Sequence, residues 1–284
     1  MKKNQWMLAA ILTICGTASV LAQTADDTVY VFKKDQPDVI YFVPASADST
    51  SLDFMDDMLQ WEWGKKQRLT PRGDQAAHEA EYSVKMMYEV FGQAIEQKLS
   101  PETTPAICAL IDLVLDKASE TADRLKPLRF RKRPFVQLNE PSFVAGDEEK
   151  ERGKSSFPSG HTNLGWTTAL MMVEVAPDHQ DEILRRGYQY GYNRLIVGYH
   201  WATDIEATRM LSSALVARLH ADPQVQQLIA NAVAEYNQLV TGINSVTHTE
   251  TTSASSRIYR LDGTPGDITT NGIVIVKGKK ILIK

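Results

Sequence analysis

Residues 158–175 read PSGHTNLGWTTALMMVEV, and the change of character within this stretch decides the fold class. Pro158 interrupts what precedes it, Ser159 and Gly160 supply turn chemistry, and from His161 to Val175 apolar residues return at helical spacing. Working outward, similar patterns run through Asp181–Val197, Trp201–Leu219 and Pro223–Leu239 on one side. On the other they run through Thr104–Leu125 and Gln75–Leu99, and from Ser51 onward Leu52, Met55, Met58, Leu59 and Trp63 mark a further amphipathic helix. Pro71, Pro101, Pro127, Pro158, Pro177 and Pro223 fall at the starts or breaks of these segments. The expectation is an all-α fold, a single helical-bundle domain of six or more helices without internal repeat, followed by a short C-terminal β module.

The two ends differ from this body. Lys2 and Lys3, the apolar run Trp6–Leu21 and the small residues around Ala22 have the layout of a signal peptide over residues 1–22. The run is short and contains Thr13, Cys15 and Ser19, which argues against an uncleaved anchor, and Ile14 is too large to precede an acylated cysteine. Cleavage would leave Cys108 as the one cysteine, unable to close an internal disulfide and placed in an apolar helical pattern as core packing. The helical domain is expected over 23–244, with Val29–Phe32 and Val39–Val43 as short extended candidates near its start. Residues 245–256 hold eight Ser/Thr among twelve and read as a linker. In 257–284, Ile258–Leu261, Ile273–Val276 and Ile281–Ile283 are β-type, separated by Asp262-Gly263 and Lys277-Gly278 turn signals. A module this small is not expected to be stable alone.

Net charge is −4, and both ends are basic, so the body is more acidic than the whole. An acidic body lacks the footprint that nucleic acid requires. After the signal no run approaches the roughly 18 apolar residues of a membrane span, so no transmembrane segment is expected in the mature chain.

Three short clusters carry the chemistry. Pro158-Ser159-Gly160-His161 precedes a helical run, and a helix start presents unpaired N–H groups and a partial positive charge that together favour an anion. Gly160 lets the backbone approach closely, Ser159 can donate a hydroxyl and His161 enters the first turn; a plain Ser N-cap with an incidental histidine would look the same. Lys126 and Arg133 lie seven apart in a basic stretch whose Arg129, Arg131 and Lys132 read as solvated, while Pro134 favours an extended, pre-set Arg133. His200 and Asp204 are four apart, on one face of a helix, where the carboxylate could hold one ring nitrogen and free the other. A surface ion pair or two metal ligands are the alternatives, and no third or fourth ligand stands at a sensible spacing. Arg194 adds a second planar guanidinium.

Together, Lys-x6-Arg-Pro, Pro-Ser-Gly-His and Arg-x5-His-x3-Asp resemble the signature of the type 2 phosphatidic acid phosphatase and vanadium haloperoxidase superfamily. Ser156-Phe157-Pro158-Ser159-Gly160-His161-Thr162, Gly198-Tyr199-His200-Trp201 and the stretch Gly64–Ala80 are similar to its soluble bacterial branch, the class A non-specific acid phosphatases, over about residues 43–240. The resemblance implies a phosphomonoester hydrolase that needs no metal ion or cofactor and takes small phosphorylated substrates in the periplasm or outside the cell. It implies His200 as the nucleophile that becomes a phosphohistidine, Asp204 orienting it, and His161 protonating the leaving alcohol and then activating water. Lys126, Arg133, Arg194, Ser159 and the Gly160 N–H would hold the phosphate oxygens, at acidic to near-neutral pH.

Two positions depart from that pattern: Asn193 stands where the family usually has Ser, and Phe157 where it has Tyr, removing a hydroxyl expected near the pocket. The β tail is similar to short sorting modules of type IX secretion, or is a degenerate tail on a periplasmic enzyme. The rival functions are a soluble phosphatase acting on lipid phosphates or pyrophosphates at a membrane surface, a vanadate-dependent haloperoxidase, and a catalytically retired surface binding protein. The oligomeric state stays open, a homo-oligomer included.

Overall fold

Side-chain caps set where several of the helices begin. Ser51, Thr70, Ser83 and Ser159 each accept a hydrogen bond from an N–H in the first turn that follows, at 3.2 to 3.3 Å. Pro71 and Pro105 occupy first-turn positions where a missing N–H costs nothing. In this computed structural model, residues 41–44 and 46–241 are described, together with the backbone of four strands between 258 and 283. The helices are α1 (Leu52–Gln67), α2 (Pro71–His78), α3 (Val84–Ala94), α4 (Pro105–Leu125), α5 (Pro134–Gln137), α6 (Glu148–Glu151), α7 (Gly160–Val175), α8 (Gln180–Val197), α9 (Ala202–His220) and α10 (Pro223–Thr241). Residues 41–241 contain no strand among those described, so the body is all-α.

The chain divides into two units, Met1–Val233 and Ala234–Lys284. In the first, α7 packs against α4, α8 and α9 and is buried on most of its circumference, with Thr162, Asn163, Thr167 and Thr168 among its buried residues. It meets α8 at very short range. A Cβ added to Gly165 would lie 2.5 Å from the Tyr190 ring, and one added to Gly187 would lie 2.4 Å from the Ala169 methyl. This close packing fixes the start of α7 relative to the end of α8, which is where the candidate residues lie. In the second unit, β1 (Ile258–Arg260), β2 (Pro265–Gly266), β3 (Gly272–Val276) and β4 (Lys279–Ile283) form an antiparallel sheet in the order β2-β1-β3-β4. Ile258 pairs with Val276 and Gly272 with Ile283.

Several sequence expectations change. The segment Gln75–Leu99 is two helices, because Ser83 caps a new one and Glu79 turns inward to Arg186 and Asn193. On α1 the apolar series faces solvent: Leu52 is 80%, Met55 59%, Leu59 69% and Trp63 40% exposed. The buried face instead carries Asp57, Trp61 and Gly64. Asp57 bonds Arg131 and Thr203, Trp61 meets Trp201 at 6.4 Å, and Gly64 lies against the backbone of Leu195 and Ile196. Residues 41–43 of the extended candidate Val39–Val43 form a turn rather than a strand. The signal segment 1–22, the candidate Val29–Phe32, the linker 245–256 and the two turn pairs of the tail lie outside the described residues. Cys108 is buried in α4. No helix among the described residues is long and apolar enough to cross a membrane.

Candidate active site

The three clusters meet around one cavity of about 270 Å³, lined by Lys126, Arg133, Gly160, His161, Arg194 and His200 among others. Each arrives at the end of an element. Lys126 follows α4, and Arg133 stands just before α5 in the extended conformation expected ahead of Pro134 (φ −68°, ψ 152°). Gly160 and His161 open α7, and Arg194 lies in the last turn of α8. Gly198, at φ +89°, reverses the chain. The N–H groups of Tyr199 and His200 then bond back to the Arg194 carbonyl at 2.9 and 3.4 Å, which hooks His200 beside Arg194.

His200 is buried, and its Nδ1 lies 2.6 Å from the Ser156 carbonyl oxygen. A carbonyl only accepts, so Nδ1 carries the proton and Nε2 is the bare nitrogen. Arg133 Nη1 approaches that nitrogen at 3.2 Å and also donates to the Tyr199 carbonyl at 3.0 Å. Burial first, then the charges of Arg133 and Arg194, push His200 well below the usual histidine value. His161 Nε2 donates to the Ala80 carbonyl at 3.0 Å, which leaves its Nδ1 bare. Its ring stands edge-on to Tyr82 at 4.9 Å and tilts against Tyr190 at 5.8 Å. Burial and then Arg194 hold it well below the usual value too.

The cations differ in how they are held. Arg133 Nη2 pairs with Glu151 at 2.6 Å. Burial opposes ionisation of Glu151, but its bond to Lys154 and the charge of Arg133 outweigh that and keep the carboxyl below its usual range. Lys126 reaches Asp123 only at 3.7 Å, and burial lowers its ammonium. Arg194 lies 4.8 Å from the Tyr199 ring, yet among the described residues its buried Nε and Nη1 find no hydrogen-bond partner. Burial pulls its guanidinium down to about 10. A buried guanidinium with unsatisfied N–H groups in a cavity that also holds Lys126 and Arg133 is built to receive an anion.

Two expected site residues stand back from the cavity. Ser159 is fully buried and caps α7, accepting from the N–H and hydroxyl of Thr162 at 3.3 and 2.9 Å, which leaves its own proton as a donor. Asp204 does not bond His200, contrary to the four-residue spacing. α9 begins after Trp201, so His200 lies before the helix and the face-sharing rule does not reach it. The Asp204 carboxylate accepts from Arg131 at 2.7 Å, Ser156 Oγ at 2.7 Å and Trp201 N at 3.1 Å. Burial raises it against the pull of Arg131.

Of the two departures from the family pattern, Phe157 stands away from the pocket where it was expected, while Asn193 still donates a hydrogen bond. Phe157 is buried with Val43, Leu125, Ala207 and Leu211 and does not line the cavity, so it leaves the pocket wall unchanged. Asn193 donates to Glu79 at 2.6 Å, in the segment that supplies the Ala80 carbonyl to His161. Sequence reasoning missed Arg131, which is buried between Asp57 and Asp204 at 2.6 and 2.7 Å rather than solvated. It also missed Tyr82, Glu79 and Glu151. No local pattern marks them, since the partners of Arg131 are more than 70 positions away.

This geometry is that of a helical phosphate-handling hydrolase. Residues 106–227 match the PAP2 superfamily. The chain is 33% identical to a non-specific acid phosphatase of Providencia stuartii over 76% of its own length and 88% of that protein. It is 30% identical to a non-specific acid phosphatase of Salmonella typhimurium over 77% of its length and 88% of the relative. An acid phosphatase of Zymomonas mobilis is 30% identical, with 69% and 73% covered. The chain belongs to the PAP2 superfamily as a class A non-specific acid phosphatase, and is a phosphomonoester hydrolase.

Proposed function

We propose that the protein is an exported acid phosphatase that hydrolyses small phosphomonoesters through a phosphohistidine on His200, without a metal ion. His200 Nε2 attacks phosphorus as the bond from phosphorus to the ester oxygen breaks, and His161 gives the proton from Nδ1 to the departing alkoxide. In the second step His161 Nδ1 takes a proton from water, whose oxygen displaces Nε2 and releases inorganic phosphate. Lys126, Arg133, Arg194 and the Gly160 N–H hold the three non-bridging oxygens and stabilise the charge that builds on them, while Ser159 fixes the start of α7 behind Gly160. These cations supply the neutralisation for which many phosphoryl-transfer enzymes use a metal.

The observation that carries the proposal is the 2.6 Å contact from His200 Nδ1 to the Ser156 carbonyl, which leaves Nε2 unprotonated among the cavity's cations. Without substrate, burial and the neighbouring cations hold both histidines well below the usual value. A phosphate dianion among Lys126, Arg133 and Arg194 offsets their repulsion and lets His161 take up its proton, so substrate and general acid arrive together.

The test is hydrolysis of p-nitrophenyl phosphate in EDTA by wild type and His200→Ala. Undiminished wild-type turnover with a dead variant is expected; chelator sensitivity or a fully active variant would overturn the scheme. Export rests on the layout of residues 1–22, and the tail from 257 to 284 is proposed as a sorting module. Fractionating cells that express the full chain and a chain ending at 244 tests both, with activity outside the cytoplasm expected for each. Loss of surface or medium activity in the shorter chain alone assigns sorting to the tail.

A further inference from the structure

We propose that Asp57 and Arg131 are positioning residues for His200, acting through Asp204 and Ser156. The inference rests on His200 being the nucleophile. Ser156 is gripped at three atoms. Its N–H donates to the Arg131 carbonyl at 2.8 Å, its hydroxyl donates to Asp204 at 2.7 Å, and its carbonyl accepts from His200 Nδ1 at 2.6 Å. The direction of the His200 ring is therefore set by a peptide group whose own orientation depends on Arg131 twice, through the Arg131 carbonyl and through Asp204.

Arg131 is in turn fixed from α1. Its Nη2 donates to Asp57 at 2.6 Å, while Nη1 donates to Asp204 at 2.7 Å and to Thr203 Oγ1 at 2.8 Å. Asp57 also receives the Thr203 N–H at 2.9 Å and its hydroxyl at 2.8 Å, which ties the start of α9 to the same carboxylate. The Arg131 guanidinium lies 5.3 Å from the Trp201 ring, next to His200 in the chain. Asp57, Arg131, Ser156 and Asp204 are all buried, so an unmade bond among them is costly. The planar fork gives each carboxylate its own nitrogen, Nη2 for Asp57 and Nη1 for Asp204, a fixed geometry that a single ammonium does not reproduce.

Neither Asp57 nor Arg131 lines the cavity, so their removal should leave phosphate binding intact while misdirecting Nε2. A misplacement on the order of 1 Å at the attacking atom costs roughly 100-fold. The experiment compares Asp57→Asn, Arg131→Lys and Ser156→Ala with wild type and His200→Ala on p-nitrophenyl phosphate. Expected for the first three is a kcat lowered about 10- to 100-fold, with KM and inhibition by inorganic phosphate changed less than about 3-fold. Combining Asp57→Asn with Ser156→Ala should cost little more than either alone, because they cut one path. A residue with a merely structural role would lower the melting temperature and leave kcat per folded molecule unchanged.

A kcat within about 2-fold of wild type in folded Asp57→Asn and Arg131→Lys, beside a dead His200→Ala, overturns the inference and leaves the nucleophile standing. An active His200→Ala overturns the nucleophile itself. If neither Asp57→Asn nor Arg131→Lys folds, Ser156→Ala, which deletes one hydroxyl, decides by the same kcat criterion.

Discussion

The two histidines of the cavity are oriented by the same device and prepared for different work. Each gives one N–H to a backbone carbonyl, His200 from Nδ1 to Ser156 and His161 from Nε2 to Ala80. A carbonyl cannot take the proton away, so each ring keeps a fixed tautomer and exposes its opposite nitrogen. Behind each carbonyl stands a buried carboxylate with an arginine: Asp204 with Arg131 for His200, and Glu79 with Arg186 in the segment supporting His161. The difference lies at the bare nitrogen. That of His200 faces an Arg133 N–H, which resists protonation and suits a nucleophile, whereas the His161 ring stands beside Tyr82 and Tyr190, and burial and the charge of Arg194 oppose its protonation until an anion enters.

The largest expected effect removes the attacking atom. His200→Ala should lower kcat at least about 1,000-fold on every phosphomonoester, whatever its leaving group. His161→Ala should instead show an effect graded by leaving group, about 100- to 10,000-fold on an alkyl phosphate and markedly less on p-nitrophenyl phosphate, whose phenolate departs without help. Equal losses on both substrates would break the proposed division of labour.

Breaking the support of His161 at its carboxylate should act on stability first. Glu79→Ala strands Arg186 as a buried cation and removes the Asn193 bond, a change worth about 3–5 kcal/mol in chemical denaturation. A further effect concerns pH. Both histidines have folded-state values well below the usual 6.5. Above that value neither state is protonated and nothing is lost; below it the unfolded chain binds protons that the fold refuses, so stability falls with pH at up to about 1.4 kcal/mol per unit for each histidine. The melting temperature should therefore drop between pH 7 and pH 5, and inorganic phosphate should reduce the drop. A melting temperature that rises toward pH 5 would contradict the assignment of both rings as neutral.

The sequence made the helical class and the cavity's ligands legible because both are written locally. Caps and prolines mark helix starts, and Lys126, Arg133, Gly160, His161, Arg194 and His200 sit in short clusters of fixed spacing. What stands behind the ligands was not legible. No local pattern sets Asp57 apart from the other acidic residues of its helix, or Arg131 from its basic neighbours, since their partners lie on distant segments. The same ion pair explains why α1 was turned the wrong way: a buried Asp57 and Trp61 outweigh the apolar series, leaving Leu59 in solvent. Leu59→Lys should change stability by less than about 0.5 kcal/mol, while Trp61→Ala should cost about 3–5 kcal/mol.

The covalent role of His200 is tested most directly by acid-free rapid quenching of His161→Ala with p-nitrophenyl phosphate, followed by peptide mass spectrometry. Slowed attack of water should leave a phosphoryl group on the peptide that contains His200, stable in base and lost in acid. A quenched enzyme that releases p-nitrophenol over many turnovers with no phosphoryl group on His200 would contradict the account.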